Sequence, residues 1–351
     1  MENKTNYLDR NEFNFEPSQR VKDVFRNFDI GNFCFYTRIY DRGKKSILSE
    51  YLSEIYDIDE SQVLLGYGAE DLLKMSIHFF LTAGDNRTML IPKFSWWYYK
   101  SIASEVDGET VQYPVYETED SFRYDMDELR SMIERLNPRI LLIASPNNPT
   151  GNGLTPEELT DMMDMVPETT IVVVDEAYAS FVNTDTSYVK RLVEKHPNMI
   201  VCRTFSKFYG LPGLRLGFGF TGKSELMERF GRYANKYLGY DRLSEEMGIA
   251  ALQSEDHYRE VAQVMDEARR MYTEELGALP GFKVYRSVAN FILIKYPIAY
   301  KEALQKAFAE ESYKVKFMDE PDLNSHMRIT LGRREQNRRV ADIILNTVSA
   351  L

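Results

Sequence analysis

Through the first two thirds of the chain, short apolar runs alternate with amphipathic stretches. Val63–Leu65, Thr88–Ile91, Arg139–Ala144, Thr170–Asp175, Met199–Phe205 and Arg215–Phe220 have strand length and read as strands. Asp71–Ala83, Met126–Leu136 and Pro156–Met165 carry apolar residues at helical spacing between them. Strands that alternate with helices predict a mostly parallel sheet covered on both faces. After residue 222 the rhythm changes. Lys223–Lys236, Leu243–Gln253 and Tyr258–Leu279 read as long helices. Gly281–Tyr285, Ala289–Ile294, Lys314–Met318 and Met327–Leu331 follow as short strands, and a helix begins at Glu335. The predicted class is α/β: a large domain with a mostly parallel sheet covered by helices, plus a smaller α+β domain. The expected division is 41–235 for the large domain and 236–351 for the small one. Residues 1–40 form an aromatic, irregular segment that packs on a domain or on a partner subunit.

Composition removes several functions. The chain has 351 residues, with 43 Lys and Arg against 54 Asp and Glu, a formal charge of −11. An acidic chain with no basic block is a poor match for nucleic acid. Apolar residues at 44% and charged residues at 28% are globular values, which excludes a disordered chain. Cys34 and Cys202 have no CxxC spacing, and His78, His196, His257 and His326 form no HExxH pair. A zinc site or disulfide framework is therefore not expected, no metal is expected, and a reducing cytoplasm fits. No apolar run approaches the length of a membrane span, and the N-terminus is polar, so neither a span nor a signal peptide is expected.

The polar residues that follow the strands are more informative. Ligands of open parallel sheets bind at the carboxyl ends of the strands. Here those ends run into Ser145–Gly151, into Asp175-Glu176-Ala177-Tyr178, into Thr204-Phe205-Ser206-Lys207, and into Gly66-Tyr67-Gly68-Ala69-Glu70 before a helix. Singly, each has a plain reading as a turn, a cap or a solvated charge. Together they meet the needs of one chemistry, that of pyridoxal phosphate. It needs a lysine to form a Schiff base, and a carboxylate beside the pyridine nitrogen. It also needs donors at the ring oxygen, an aromatic ring on the pyridine face, and a phosphate cup. Lys207, Asp175, Tyr178 with Asn148, Phe94, and the Gly68–Glu70 turn with Arg215 are the candidates. Backbone N–H groups at a helix start suit a phosphate.

These residues carry a family resemblance. SPNNPTG (145–151), VVVDEAY (172–178), TFSKFYGLPGLRLGF (204–218), SVANFIL (287–293) and MRITLG (327–332) resemble fold-type-I aminotransferases, and among them the histidinol-phosphate aminotransferase-like group. The match runs over residues 9–345. The resemblance implies that Lys207 is the Schiff-base lysine and proton shuttle, that Asp175 pairs with the pyridine nitrogen, and that Tyr178 and Asn148 bind the ring oxygen. It assigns the phosphate to Thr204, Ser206 and Arg215, with Gly68 and the Ala69 and Glu70 backbone. It places Phe94 as the stacking aromatic, with Trp97 as second choice. Arg328 clamps the substrate's carboxylate or equivalent anion. Tyr40, in TRIYD, resembles a tyrosine that reaches the cofactor phosphate of the other subunit, which implies a homodimer. Thr204 and Ser206 also have a reading as turn formers, and Phe94 as core.

Some features depart from this pattern. Gly217–Ser224 satisfies GxxxxGK[ST], a nucleotide phosphate loop. It is rejected because it follows the acidic strand rather than preceding it, and because two phenylalanines lie inside it. A second arginine, in a V-R-D stretch that grips the substrate phosphate in the family, is replaced by Lys316-Phe317-Met318-Asp319. Leu238-Gly239-Tyr240-Asp241 replaces an N-V-N stretch, and Asn11-Glu12-Phe13 matches N-E-N-P only in part. The expected activity is amino transfer from an amino acid, glutamate foremost, to an oxo acid or oxo phosphate. The alternatives are an amino-acid decarboxylase of the threonine-phosphate type and a non-catalytic module that binds the cofactor.

Overall fold

The computed structural model describes residues 5–182, 185–234 and 240–350. In chain order its strands are β1 (Asn6–Leu8), β2 (Val63–Tyr67), β3 (Thr88–Pro92), β4 (Glu109–Tyr113), β5 (Val115–Glu117), β6 (Phe122–Tyr124), β7 (Ile140–Ala144), β8 (Ile171–Asp175), β9 (Met199–Thr204), β10 (Leu216–Thr221), β11 (Lys283–Val284), β12 (Phe291–Lys295), β13 (Tyr313–Phe317) and β14 (His326–Thr330). The apolar runs of the first two thirds become one seven-stranded sheet in the order β2-β10-β9-β8-β7-β3-β4. Only β10 runs against its neighbours in that sheet; the other pairings are parallel. Strands β7, β8 and β9 are buried at every position, which is why they read as unbroken apolar runs rather than alternating ones.

Two helical layers cover this sheet. The helices are α1 (Gln19–Asn27), α2 (Ile47–Tyr56), α3 (Ala69–Thr82), α4 (Tyr98–Ser104), α5 (Met126–Leu136), α6 (Pro156–Asp164), α7 (Ser187–Lys195), α8 (Glu225–Ala234), α9 (Arg242–Leu252), α10 (Glu255–Leu276), α11 (Lys301–Glu310) and α12 (Arg334–Ser349). On one face Leu141, Ile143, Val172, Val174 and Val201 meet α2, α5, α6 and α7. On the other, Ile140, Leu142, Ile171, Val173 and Ile200 meet α3, α4 and α8. The helix starts follow local chemistry. Thr155 accepts from the N–H of Glu158 and Glu158 returns a bond to Thr155, a capping box with Pro156 in the first turn. The expected helix over Lys223–Lys236 is described only as Glu225–Ala234; Asn235, Lys236, Leu238 and Gly239 lie outside the described residues.

The second sheet, β1-β13-β14-β12-β11, packs on α10, α11 and α12. Its outer strand β1 comes from the N-terminus and runs parallel to β13. The N-terminal segment therefore ties to the small sheet, while α1 packs on α9 beside the first core. Phe13 fills the space over Gly210, where an added Cβ would lie 2.3 Å from its ring. Further along, Phe33, Phe35 and Tyr36 are exposed, Tyr36 at 92%.

Strand β10 contains the start of the GxxxxGK[ST] match, and it is buried throughout. A Cβ on Gly217 would lie 2.2 Å from the backbone of Gly68, and one on Gly219 2.3 Å from the carbonyl of Val201. These glycines serve close backbone packing, and the segment is not a phosphate loop. Among the described residues no helix is long and apolar enough to cross a membrane, and no group of three or more His, Cys, Asp or Glu could hold a metal ion.

Candidate active site

Because β7, β8 and β9 are parallel neighbours, the segments after them emerge at one edge of the sheet. Asp175 is the last residue of β8 and is buried. Its Oδ2 accepts from the Tyr99 hydroxyl at 2.6 Å, and its Oδ1 from the Ala177 N–H at 3.0 Å. Burial raises its pKa, against the pull of these two bonds and of the Lys207 charge, while Glu176 adds to the rise. The neighbouring Glu176 has a different environment. Arg203 pairs with it at 2.7 Å, and Tyr188 donates to it at 2.8 Å, while Tyr56 accepts from Arg203 at 2.8 Å. Glu176 is thus neutralised within a buried, hydrogen-bonded set. Asp175 makes its bonds to neutral donors.

Lys207 lies in the turn after β9. Its Nζ donates to the carbonyls of Arg10 at 3.1 Å and Asn11 at 3.3 Å, and it sits 5.8 Å from the centre of the Tyr178 ring. The Tyr178 hydroxyl accepts from Asn11 Nδ2 at 2.9 Å, and its ring lies edge-on to Phe291. Arg328, on β14, donates from Nη1 to Asn148 Oδ1 and from Nη2 to the Asp9 carbonyl at 2.6 Å. Its Nε is buried without a hydrogen-bond partner. The small sheet thereby delivers a guanidinium with unused donors, Nε among them, to the loop after β7. Burial lowers the pKa of Arg328, against the pull of Tyr178, Asp9 and Glu320.

The start of α3 forms a cradle. Gly68 precedes it with φ +83° and no side-chain cap. A Cβ there would lie 2.6 Å from Arg215 Nη2, so the glycine makes the space that the guanidinium occupies. Arg215 itself has φ +52° and donates to the Tyr67 carbonyl at 3.3 Å. The N–H groups of Ala69 and Glu70 open the helix beside it, a setting that favours an anion. Thr204 and Ser206 are engaged with each other: Thr204 Oγ1 accepts the Ser206 N–H at 3.0 Å and lies 2.9 Å from Ser206 Oγ. Thr204 therefore shapes the turn that presents Lys207. Replacing Gly68 with Ala should displace Arg215 and weaken the binding of pyridoxal phosphate by about tenfold or more, read by fluorescence titration of the cofactor-free protein. Unchanged affinity would show that this cradle is not the phosphate cup.

Phe94, after β3, has φ +54°, and its carbonyl accepts from Asn147 Nδ2 at 3.0 Å. Its ring meets Phe122 edge-on and lines a cleft of about 490 Å³ between the β5–β6 hairpin and the small sheet, with Glu117, Lys295, Asp322 and His326. Trp97 is 66% exposed, so Phe94 is the aromatic fastened to the Asn147–Asn148 loop. Tyr40 sits in the turn Ile39–Arg42 at 43% exposure, on the segment that also exposes Phe33, Phe35 and Tyr36. At the expected second-arginine place, Met318 is buried in the core. Lys316 stands directly opposite Arg328 in the β13–β14 pair, with its Nζ held by Asp319 at 2.7 Å.

Two residues here were not among the expected site residues. Tyr99 is hidden in the aromatic run Trp96–Tyr99, where only its hydroxyl separates it from core. Asn11 shows only as a partial motif match, yet it touches Tyr178, Lys207, Asn290 and Thr330.

The chemistry of this donor set fits pyridoxal phosphate. Among the described residues, a buried carboxylate is hydrogen-bonded to no cation, a lysine is bonded only to carbonyls, and a glycine-made cradle holds an arginine at a helix start. The sequence matches the family model of aminotransferase class I and II over residues 4–344. It is 31% identical to the histidinol-phosphate aminotransferase of Ruminiclostridium cellulolyticum over 295 residues, 84% of this chain and 80% of that one. It is 31% identical to histidinol-phosphate aminotransferase 2 of Archaeoglobus fulgidus over 338 residues, 96% of this chain and 91% of that one. The crystal structure of histidinol-phosphate aminotransferase from Sinorhizobium meliloti in complex with pyridoxal-5'-phosphate has the same fold, with a TM-score of 0.84 at 21% identity over 99% of this chain and 92% of that chain. The chain belongs to the class I and II aminotransferases and is a pyridoxal-phosphate-dependent enzyme of that family.

Proposed function

We propose that the enzyme moves an amino group from an amino acid, glutamate foremost, to an oxo acid or oxo phosphate, as the names of its relatives suggest. The observation that carries this reading is the meeting of Lys207, Asp175 and Tyr178 from the large sheet with Arg328 from the small one, joined through Asn148 and Asn11. The bound cofactor supplies an aldehyde for the amine and a ring that accepts the electron pair released at the substrate carbon. Lys207 Nζ takes and returns the proton at that carbon. Asp175 holds positive charge on the ring nitrogen, and Tyr178 and Asn148 donate to the ring oxygen. Phe94 covers the ring. Arg215, Ser206, Gly68 and the N–H groups of Ala69 and Glu70 hold the phosphate, with Thr204 shaping the turn. Arg328 presents two N–H groups to a carboxylate.

We also read the enzyme as a homodimer in which Tyr40 reaches the partner's phosphate; the exposed Phe33, Phe35 and Tyr36 beside it give a second copy an apolar surface. We take the working units to be 41–235 and 236–351, with the N-terminal segment packing on the small domain or a partner subunit; the pairing of β1 with β13 supports the first of these. A cytoplasmic setting is supported by two free cysteines. Cross-strand neighbours share a face, so Lys316 is the cation beside Arg328 for a second acidic group on the substrate.

The test is a visible spectrum of the loaded enzyme, titrated with amino acids and histidinol phosphate and then with oxo acids. Loss of the lysine-bound band on adding a donor, and its return on adding an acceptor, is the expected result. Carbon dioxide release without an oxo acid would replace the reading with decarboxylation. A protein that stays colourless with pyridoxal phosphate would sink it.

A further inference from the structure

Asn11 is buried, holds φ +56°, and bonds to three parts of the molecule. Its backbone N–H donates to Thr330 Oγ1 at 2.9 Å, and its carbonyl accepts from Asn290 Nδ2 at 3.0 Å and from Lys207 Nζ at 3.3 Å. Its side-chain Oδ1 lies 3.4 Å from the Thr330 hydroxyl, while its Nδ2 donates to the Tyr178 hydroxyl at 2.9 Å. These contacts determine which way the amide points. Thr330 Oγ1 already accepts the Asn11 N–H, so its own hydrogen is free for Oδ1, and Nδ2 is left facing Tyr178. A hydroxyl that accepts from an amide N–H must aim its own hydrogen elsewhere.

We propose that Asn11 is a positioning residue that makes Tyr178 a hydrogen-bond donor toward the cofactor's ring oxygen. This rests on the reading of Tyr178 given above. The fold explains the device. The strap Asp9–Asn11 follows β1, which is paired to β13, and it crosses from the small sheet to Lys207 and Tyr178. One amide thus transmits the seating of the small sheet to the orientation of a hydroxyl on the large domain. The charged and titratable groups that face Tyr178 are Tyr99 and Lys207 from the large domain and Arg328 from the small one.

The test is the pH midpoint of the visible band of lysine-bound cofactor, which a donor at the ring oxygen holds down because it favours the deprotonated form. Asn11→Asp presents only acceptors, draws the Tyr178 hydrogen to itself, and should raise the midpoint by about one pH unit, as Tyr178→Phe should. Asn11→Gly keeps the positive φ, leaves the hydroxyl free to donate, and should move the midpoint far less. In the Tyr178→Phe background, Asn11→Asp should add nothing. A shift that persists in that background is the bare effect of a new negative charge and overturns the proposal. So does an unmoved midpoint in Asn11→Asp. An unmoved midpoint in Tyr178→Phe alone removes the reading of Tyr178 itself, and the proposal with it. Should Asn11→Asp not fold, Thr330→Val releases the amide from its fixed orientation and should give a smaller upward shift that Tyr178→Phe likewise abolishes.

Discussion

Lys207→Ala should lower amino transfer by about 10⁴-fold or more while leaving the fold intact. The magnitude follows from losing the covalent anchor and the proton-transfer group in one substitution. The fold should tolerate it because, among the described residues, the Lys207 ammonium bonds only to the carbonyls of Arg10 and Asn11, at a part-exposed position. Such a loss is worth about 1 kcal/mol or less. Borohydride reduction followed by mass spectrometry gives the direct readout. The wild type should gain the mass of the cofactor on the peptide containing Lys207, and the variant should not. Multiple turnovers by the variant would refute the assignment of the lysine.

Asp175→Asn should lower turnover by about 10²–10³-fold, the scale of removing one well-placed electrostatic partner from a buried site. Its effect on stability has the opposite sign in the cofactor-free protein. Burial raises the folded pKa of Asp175 above its unfolded value. A carboxyl with a raised folded pKa favours the native state at low pH, and that contribution is lost as pH rises through the folded value. Once ionised, the buried carboxylate of the cofactor-free wild type has no cation hydrogen-bonded to it among the described residues, a cost the asparagine variant does not carry. The cofactor-free variant should melt higher than wild type on the alkaline side of the Asp175 titration, with the gap closing as pH falls through it. Loading with pyridoxal phosphate should reverse the order, because only the carboxylate gains a cationic partner. Calorimetry of both proteins with and without cofactor checks this. A cofactor-free variant that melts lower at every pH would show that the Tyr99 and Ala177 bonds outweigh the burial penalty.

These two residues also show how far the sequence carries. Lys207 and Asp175 were legible because Asp175 ends, and Lys207 closely follows, an apolar run that is buried on both faces. Such a run has little freedom in length, so the residue that ends it is placed at the edge of the sheet. The cradle was legible for a related reason: Gly68 is required by its positive φ and by the Arg215 guanidinium beside it, and glycine is conspicuous in a strand-to-helix turn. By contrast, β4 on the sheet edge, the short β5–β6 hairpin and α1, α2 and α4 left too weak a pattern to be placed. The match to a nucleotide phosphate loop illustrates the reverse case, in which a correct spacing falls on a strand packed against Gly68 and Val201.

The sequence by itself pointed to the α/β class, to a mostly parallel central sheet, and to the lysine, carboxylate and arginine proposed for the site. All of these rest on local patterns: apolar runs, turn glycines, and polar residues a fixed distance beyond a strand. Only the tertiary structure decided what surrounds them. Tyr99 reaches Asp175 across 76 positions, and Asn11 reaches Tyr178 across 167. It also decided that Met318 turns into the core while Lys316 stands beside Arg328. Contacts of this kind depend on how two sheets and a strap pack together, and hydrogen-bond direction depends on every partner at once, so no stretch of the chain records them.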